Sequence, residues 1–244
     1  MERKHFLKSS LAALGLAAIV PVANSCNKGD VLAAASSSSD STSTSSTTSD
    51  ACTATPSETA GPFPTHSPSS LVTNDITSNR TGVPLTIKIT VNNHNNGCAA
   101  LANAIVDIWH CDKDGNYSEY GGGDMQATSY TSVHFLRGRQ TTDASGIVTF
   151  TSVFPGWYSG RAPHIHVHIY DASGTTLLVT QIAFPTDVCN TVYTTSPLYS
   201  ARGTQDTANN QDNVFSDSLA NELATVTGNI SDGYTLTHLI TVTA

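Results

Sequence analysis

The tightest constraint on how this chain folds is a period of two. Residues 83–91, VPLTIKITV, alternate apolar and polar side chains. The same alternation returns at 103–109 (NAIVDIW), 146–154 (GIVTFTSVF), 164–170 (HIHVHIY), 176–184 (TLLVTQIAF) and 234–243 (YTLTHLITVT). Successive side chains of a strand point to opposite faces, so each run offers one apolar face to a core. Turn sequences separate the runs: Asn95-Asn96-Gly97, Asp114-Gly115, Asp143-Ala144-Ser145-Gly146 and Ser173-Gly174. Many short strands with such links predict an all-β domain, a β-sandwich of mostly antiparallel strands with long loops. Only 215–225, FSDSLANELAT, has a helical pattern, with Ser216 or Asp217 as its cap.

Two segments of other character precede the first strand. Residues 1–8, MERKHFLK, are basic; residues 11–23, LAALGLAAIVPVA, are apolar; Asn24-Ser25-Cys26 follows. A charged start, a short apolar stretch and a small-residue exit predict an export signal over 1–25. Arg3-Lys4 resembles the basic pair of a twin-arginine signal, and Ala23-Asn24-Ser25-Cys26 resembles a lipobox whose Cys becomes lipidated. In the stretch 36–49, 13 of 14 residues are Ser or Thr. Nothing there can be buried, so 26–50 is expected to be a flexible tether. The domain is then 51–244, located in the cell envelope or outside the cell and held at a membrane if Cys26 is lipidated. No apolar run reaches the roughly 20 residues of a spanning helix. The formal net charge of −8 argues against nucleic acid as a partner. Oligomeric state is left open.

Past Cys26 the chain has four cysteines, Cys52, Cys98, Cys111 and Cys189. An even count in an exported chain predicts two disulfides. With 103–109 as a strand, Cys98 and Cys111 lie about 30–40 Å apart. Cys111 is therefore expected to pair with Cys52 or Cys189.

Four stretches carry chemistry. In His164-Ile165-His166-Val167-His168, strand geometry puts three imidazoles on one face, neighbours about 6–7 Å apart. Pro155-Gly156-Trp157-Tyr158-Ser159-Gly160-Arg161 forms a loop just before that strand and brings Tyr158 and Arg161 beside the first His. Trp109-His110-Cys111-Asp112-Lys113-Asp114-Gly115-Asn116-Tyr117 ends a strand, turns and presents Tyr117; its Asp-x-Asp-Gly hints at a calcium loop whose later ligands are missing. Thr55-Pro56-Ser57-Glu58-Thr59-Ala60-Gly61-Pro62-Phe63 is a stiff segment. The histidines alone fit a zinc or copper enzyme using His164, His166 and His168. The sandwich alone fits a surface-tethered, non-catalytic module that binds carbohydrate or protein.

Together these stretches resemble the intradiol ring-cleavage dioxygenases, the catechol and protocatechuate dioxygenase family, over Thr55 to Asp212. The resemblance is closest to exported single-domain members. It rests on Thr-Pro near Gly-Pro-Phe at 55–63, Val106 to Tyr117, Phe-Leu-Arg-Gly-x-Gln-x-Thr-Asp at 135–143, Pro-Gly-x-Tyr at 155–158 and Arg-x-x-His-x-His at 161–166. The chain departs in reading Arg-Ala-Pro-His where many members read Arg-Pro-Ala-His, and it has no counterpart of the helical dimerisation domain. The resemblance implies a non-haem Fe(III) held by Tyr117, Tyr158, His164 and His166. It implies that Arg161 and Gln181 act at the reacting carbon, and that Tyr158 leaves the metal to accept a proton. His168 has no ligand counterpart and is expected to pack or support. The implied partners are a small aromatic diol and O2, both atoms of which enter the cleaved ring to give a muconate-type dicarboxylic acid. Residues 55–63 are expected to wall the substrate pocket.

Overall fold

The computed structural model describes residues 52–244. The expected export signal over 1–25 and the expected tether over 26–50 lie outside the described residues.

The strands are β1 (Pro84–Asn93), β2 (Ala99–Ala100), β3 (Ile105–Trp109), β4 (Arg137–Thr141), β5 (Ile147–Val153), β6 (His164–Tyr170), β7 (Thr176–Ala183), β8 (Thr225–Asn229) and β9 (Gly233–Val242). They form two sheets, as the alternation predicts. In the first, β1 runs parallel to β9, β8 flanks β9, and β5 and β2 pair antiparallel with the other edge of β1. The second is antiparallel throughout, in the order β4-β3-β6-β7.

The core lies between the sheets. Leu85, Ile87, Ile89 and Val91 of β1, with Phe150, Leu236 and Ile240, meet Val106, Ile108, Ile165, Val167, Ile169 and Ile182. Each is almost fully buried, and burying such a side chain stabilises by roughly 1.5–3 kcal/mol. Because β6 gives Ile165, Val167 and Ile169 to this core, His164, His166 and His168 stand on the opposite face of the second sheet.

Three expectations need correction. The helix is α1, Thr186–Thr195, not 215–225, where Leu219–Asn221 makes a single 3-10 turn. The α1 sequence is rich in Thr and Val, poor helix formers. It is helical because Cys189, Val192 and Tyr193, spaced i, i+3 and i+4, bury one stripe against the core. Residues 225–229 are strand β8, and β4 carries Arg-Gly-Arg, which has no apolar alternation to reveal it. Lastly, there is one disulfide among the described residues, Cys52–Cys98, with Cα atoms 5.5 Å apart. Cys111 and Cys189 are buried free thiols. Burial pushes both thiols well above their ordinary value. Cys111 sits in an apolar cluster with Phe63, Trp109 and Tyr117, whereas Cys189 belongs to the inter-sheet core.

Candidate active site

The strand register lays out the floor. Arg137, Trp109, His166 and Gln181 lie directly across β4, β3, β6 and β7 from one another, so they form one row on the sheet's outer face. Trp109 stacks flat on His166, centroids 4.9 Å apart and planes within 4°. The next row is Arg139, Asp107, His168 and Val179. There Arg139 pairs with Asp107 at 2.5 and 2.7 Å. The two nitrogens of His168 bond Thr176 Oγ1 (3.0 Å) and the Tyr170 hydroxyl (2.9 Å). His168 is thus engaged one row away, and the three histidines do not form a common site.

Two loops bring the tyrosines over the floor. The Asp112 carboxylate accepts from the backbone N–H groups of Asp114 and Asn116, closing the turn that presents Tyr117, and it also meets Arg80 at 3.3 Å. That use of Asp112, with Lys113 paired to Asp114, accounts for the Asp-x-Asp-Gly pattern without calcium. The loop at 155–158 carries Tyr158 and interlocks with this turn. A Cβ on Gly115 would come within 2.2 Å of the Trp157 carbonyl oxygen, and one on Gly156 within 2.4 Å of the Lys113 oxygen. Only glycine permits both approaches.

Four donor atoms converge. His164 Nε2 lies 3.1 Å from His166 Nε2, 3.3 Å from the Tyr117 hydroxyl and 3.4 Å from the Tyr158 hydroxyl. His164 Nδ1 donates to the Ala162 carbonyl at 2.6 Å, which leaves its Nε2 with a lone pair. Burial holds the His164 imidazolium down to about 3, with the Arg161 charge adding to the effect, and holds His166 far below its ordinary value. Burial likewise pushes the Tyr117 phenol well up and Tyr158 to about 12. Two neutral imidazoles facing each other at 3.1 Å, ringed by two phenol oxygens, are short of positive charge. A hard cation at their centre would accept both lone pairs and favour both phenolates. The residues present therefore fit a ferric ion.

Beside these donors, Arg161 Nε bonds both carboxylate oxygens of Asp212 at 3.0 and 2.8 Å, and its Nη2 donates to Gln181 Oε1 at 2.7 Å. Gln181 Nε2 in turn donates to the Thr59 carbonyl. Asp212 is completely buried and also accepts from the backbone N–H of Ala162 and of Val214. Three supporting residues lie beyond what the motifs assign. Asp212 holds Arg161. Gln126 accepts from the Tyr117 N–H at 2.6 Å and donates to the carbonyls of Tyr117, Tyr120 and Thr128. Arg137 ties the Phe63 and Ser118 carbonyls to the sheet. Arg137 stood within a motif, but Gln126 and Asp212 carry no local signal. A cavity of about 440 Å³ opens beside Tyr158 and Arg161, lined also by Thr59, Gly61, Pro62 and Val214 among others. Three of these come from the 55–63 segment, as expected.

Comparison with known proteins places this geometry. Residues 60–210 match the family model described as Dioxygenase. Chlorocatechol 1,2-dioxygenase of Rhodococcus opacus is 29% identical over 106 residues, 36% of this chain and 38% of that protein. The chain thus spans well under half of that curated relative. An intradiol ring-cleavage dioxygenase from Tetranychus urticae superposes with a TM-score of 0.70 at 26% identity, covering 79% of this chain and 95% of that one. The dioxygenase domain of a dioxygenase carbohydrate-binding fusion from Streptomyces sp. SirexAA-E gives 0.53 at 25% identity, covering 79% and 99%. The chain belongs to the intradiol ring-cleavage dioxygenase family.

Proposed function

We propose that the protein is a non-haem Fe(III) dioxygenase that cleaves a catechol-type ring between its two hydroxyls. Tyr117, Tyr158, His164 and His166 would hold the iron. The observation that carries this reading is that His166 Nε2 and the phenol oxygens of Tyr117 and Tyr158 all lie within 3.1–3.4 Å of His164 Nε2, beside Arg161. Bound ferric iron supplies a Lewis acid for a chelated diol and the redox chemistry that O2 requires.

The chain's own groups do the rest. Tyr158 is the less buried of the two tyrosines and lies beside both the cavity and Arg161. Its Oη is the atom that takes up a diol proton. Arg161, fixed by Asp212 and Gln181, offers a positive charge to the anion that develops on the substrate. Gln181 is oriented by Thr59 and Arg161 and positions the ring. Trp109, Phe63 and Tyr117 close the floor against water. The product is a muconate-type dicarboxylic acid containing both atoms of O2, which places the enzyme in the breakdown of aromatic compounds.

The full chain loaded with Fe(III) should consume one O2 per catechol and yield the ring-opened diacid. Release of peroxide from an intact ring would contradict the reading. Export and a lipid tether through Cys26 are further parts of the proposal, supported by the 1–25 signal and the Ser/Thr-rich segment. Cys26→Ser should move the protein from the membrane fraction to the soluble one.

A further inference from the structure

A second cavity, about 250 Å³, adjoins the first. Its lining includes Phe63, Tyr120, Gly121, Asp124, Met125 and Gln126. Met125 lines both cavities, and the consecutive residues Pro62 and Phe63 line one each. The two spaces therefore meet along a single divide.

That divide is a built feature. Gly123 and Gln126 bond each other's backbones at 3.2 Å in both directions, closing a tight turn with Asp124 and Met125 at its tip. The turn is rooted by the buried Gln126 amide, the same group that clamps the backbone of Tyr117. Met125 is carried at the tip with 65% of its surface exposed. A lone exposed apolar side chain needs no explanation, but this one stands between two cavities at the rim of a catalytic site.

The far cavity is aromatic, and its rings are fixed. Tyr120 donates its hydroxyl to the Pro64 carbonyl at 2.6 Å, meets Phe63 edge-on at 5.2 Å and leans on His66 at 4.7 Å. Phe63 stacks on Tyr117 at 4.6 Å, so the aromatic wall runs unbroken from the iron-binding donors to the second cavity. Rigid ring faces and a polarisable thioether are groups that hold a planar aromatic ring. A single-ring diol in the first cavity leaves the second space unused.

We infer that the Phe63–Tyr120–Met125 cavity is a subsite for a second aromatic ring, so that the preferred substrates are catechols bearing an aryl substituent. This rests on the dioxygenase reading of the neighbouring site. The test compares a phenyl-substituted with a methyl-substituted catechol. Wild-type protein should favour the phenyl compound in kcat/KM by about 10-fold or more, the scale that one well-held apolar group supplies. Tyr120→Leu and, as a variant at an exposed position, Met125→Ala should each bring the ratio down several-fold. Calorimetry on the iron-free full chain should show the same preference in affinity, lost in the same variants. A wild-type ratio near one, or a ratio that neither variant alters, would overturn the subsite. Failure to turn over any catechol would count against the dioxygenase reading instead, and the calorimetric preference then decides the subsite alone.

Discussion

The two faces of strand β6 obey different rules. On one stand Ile165, Val167 and Ile169, completely buried against the opposite sheet. On the other stand His164 and His166, equally inaccessible, and then His168, half-buried. The inner face is closed by a sheet that covers it along its whole length, so every position must be apolar and no chemistry survives there. The outer face is closed only where the 55–63 segment, the Tyr117 turn and the Tyr158 loop reach it. Burial by loops brings polar groups along with the cover. Two imidazoles can thus be desolvated and still face phenols and a guanidinium, which is what a metal centre needs.

Substitutions on the two faces should separate stability from chemistry. Ile165→Ala should cost about 2–5 kcal/mol in denaturant unfolding, as buried truncations do. His166→Ala, its neighbour on the other face, should lose iron while unfolding much closer to wild type. Equal destabilisation by both would erase the distinction. Asp212→Asn acts on the outer face through Arg161: slackening the guanidinium should slow ring cleavage by about 10–100-fold with iron content unchanged, the scale of a small misplacement of a reacting group. Asp212→Glu should recover part of the loss, and a null effect would show that Arg161 holds its place without Asp212.

The cover itself should respond to pH, and the inner face should not. Burial, with the neighbouring Glu58 carboxyl, raises the Glu222 carboxyl from 4.5 to about 7, and Glu58 is raised as well. A carboxyl with a raised value in the folded state binds its proton more tightly there than when unfolded. Its contribution to stability is therefore present at low pH and is lost as pH climbs from 4.5 through about 7. Glu58 also donates its backbone N–H to Val179 O, which joins the 55–63 segment to β7. Amide exchange in that segment should speed up across this window, and Glu222→Gln should flatten the response. Exchange that is insensitive to pH beyond its intrinsic rate would refute the coupling. The smallest effect belongs to His168→Ala, which gives up two surface hydrogen bonds: about 1 kcal/mol or less, with iron uptake unchanged. Loss of iron in this variant would revive the three-histidine metal site.

How much of this was legible in the sequence follows from the same contrast. Strands that face the core on one side wrote their period plainly, and the outer row could be read from His-x-His once β6 was placed. The gathering of Tyr117, Tyr158 and Arg161 near those histidines came from spaced motifs, since no local pattern says where a loop folds back. Asp212 acts on Arg161 from 51 residues away and Gln126 on Tyr117 from nine, and a lone Gln or Asp in a polar loop gives no hint of burial. The α1 helix was hidden because tertiary packing of Cys189, Val192 and Tyr193 overrides its Thr-rich propensity. The free thiols were hidden because pairing by count ignores that Cys111 and Cys189 lie in separate apolar clusters.

The central claim is that the outer face of this sheet binds ferric iron through two phenolates as well as two imidazoles. The visible absorption spectrum of the full chain loaded with Fe(III) tests it most directly. A red-brown protein with a broad phenolate-to-iron charge-transfer band is expected, weakened and shifted in Tyr117→Phe and in Tyr158→Phe and unaltered in His168→Ala. An iron-loaded protein without that band, or a band untouched when both tyrosines are replaced, would contradict it.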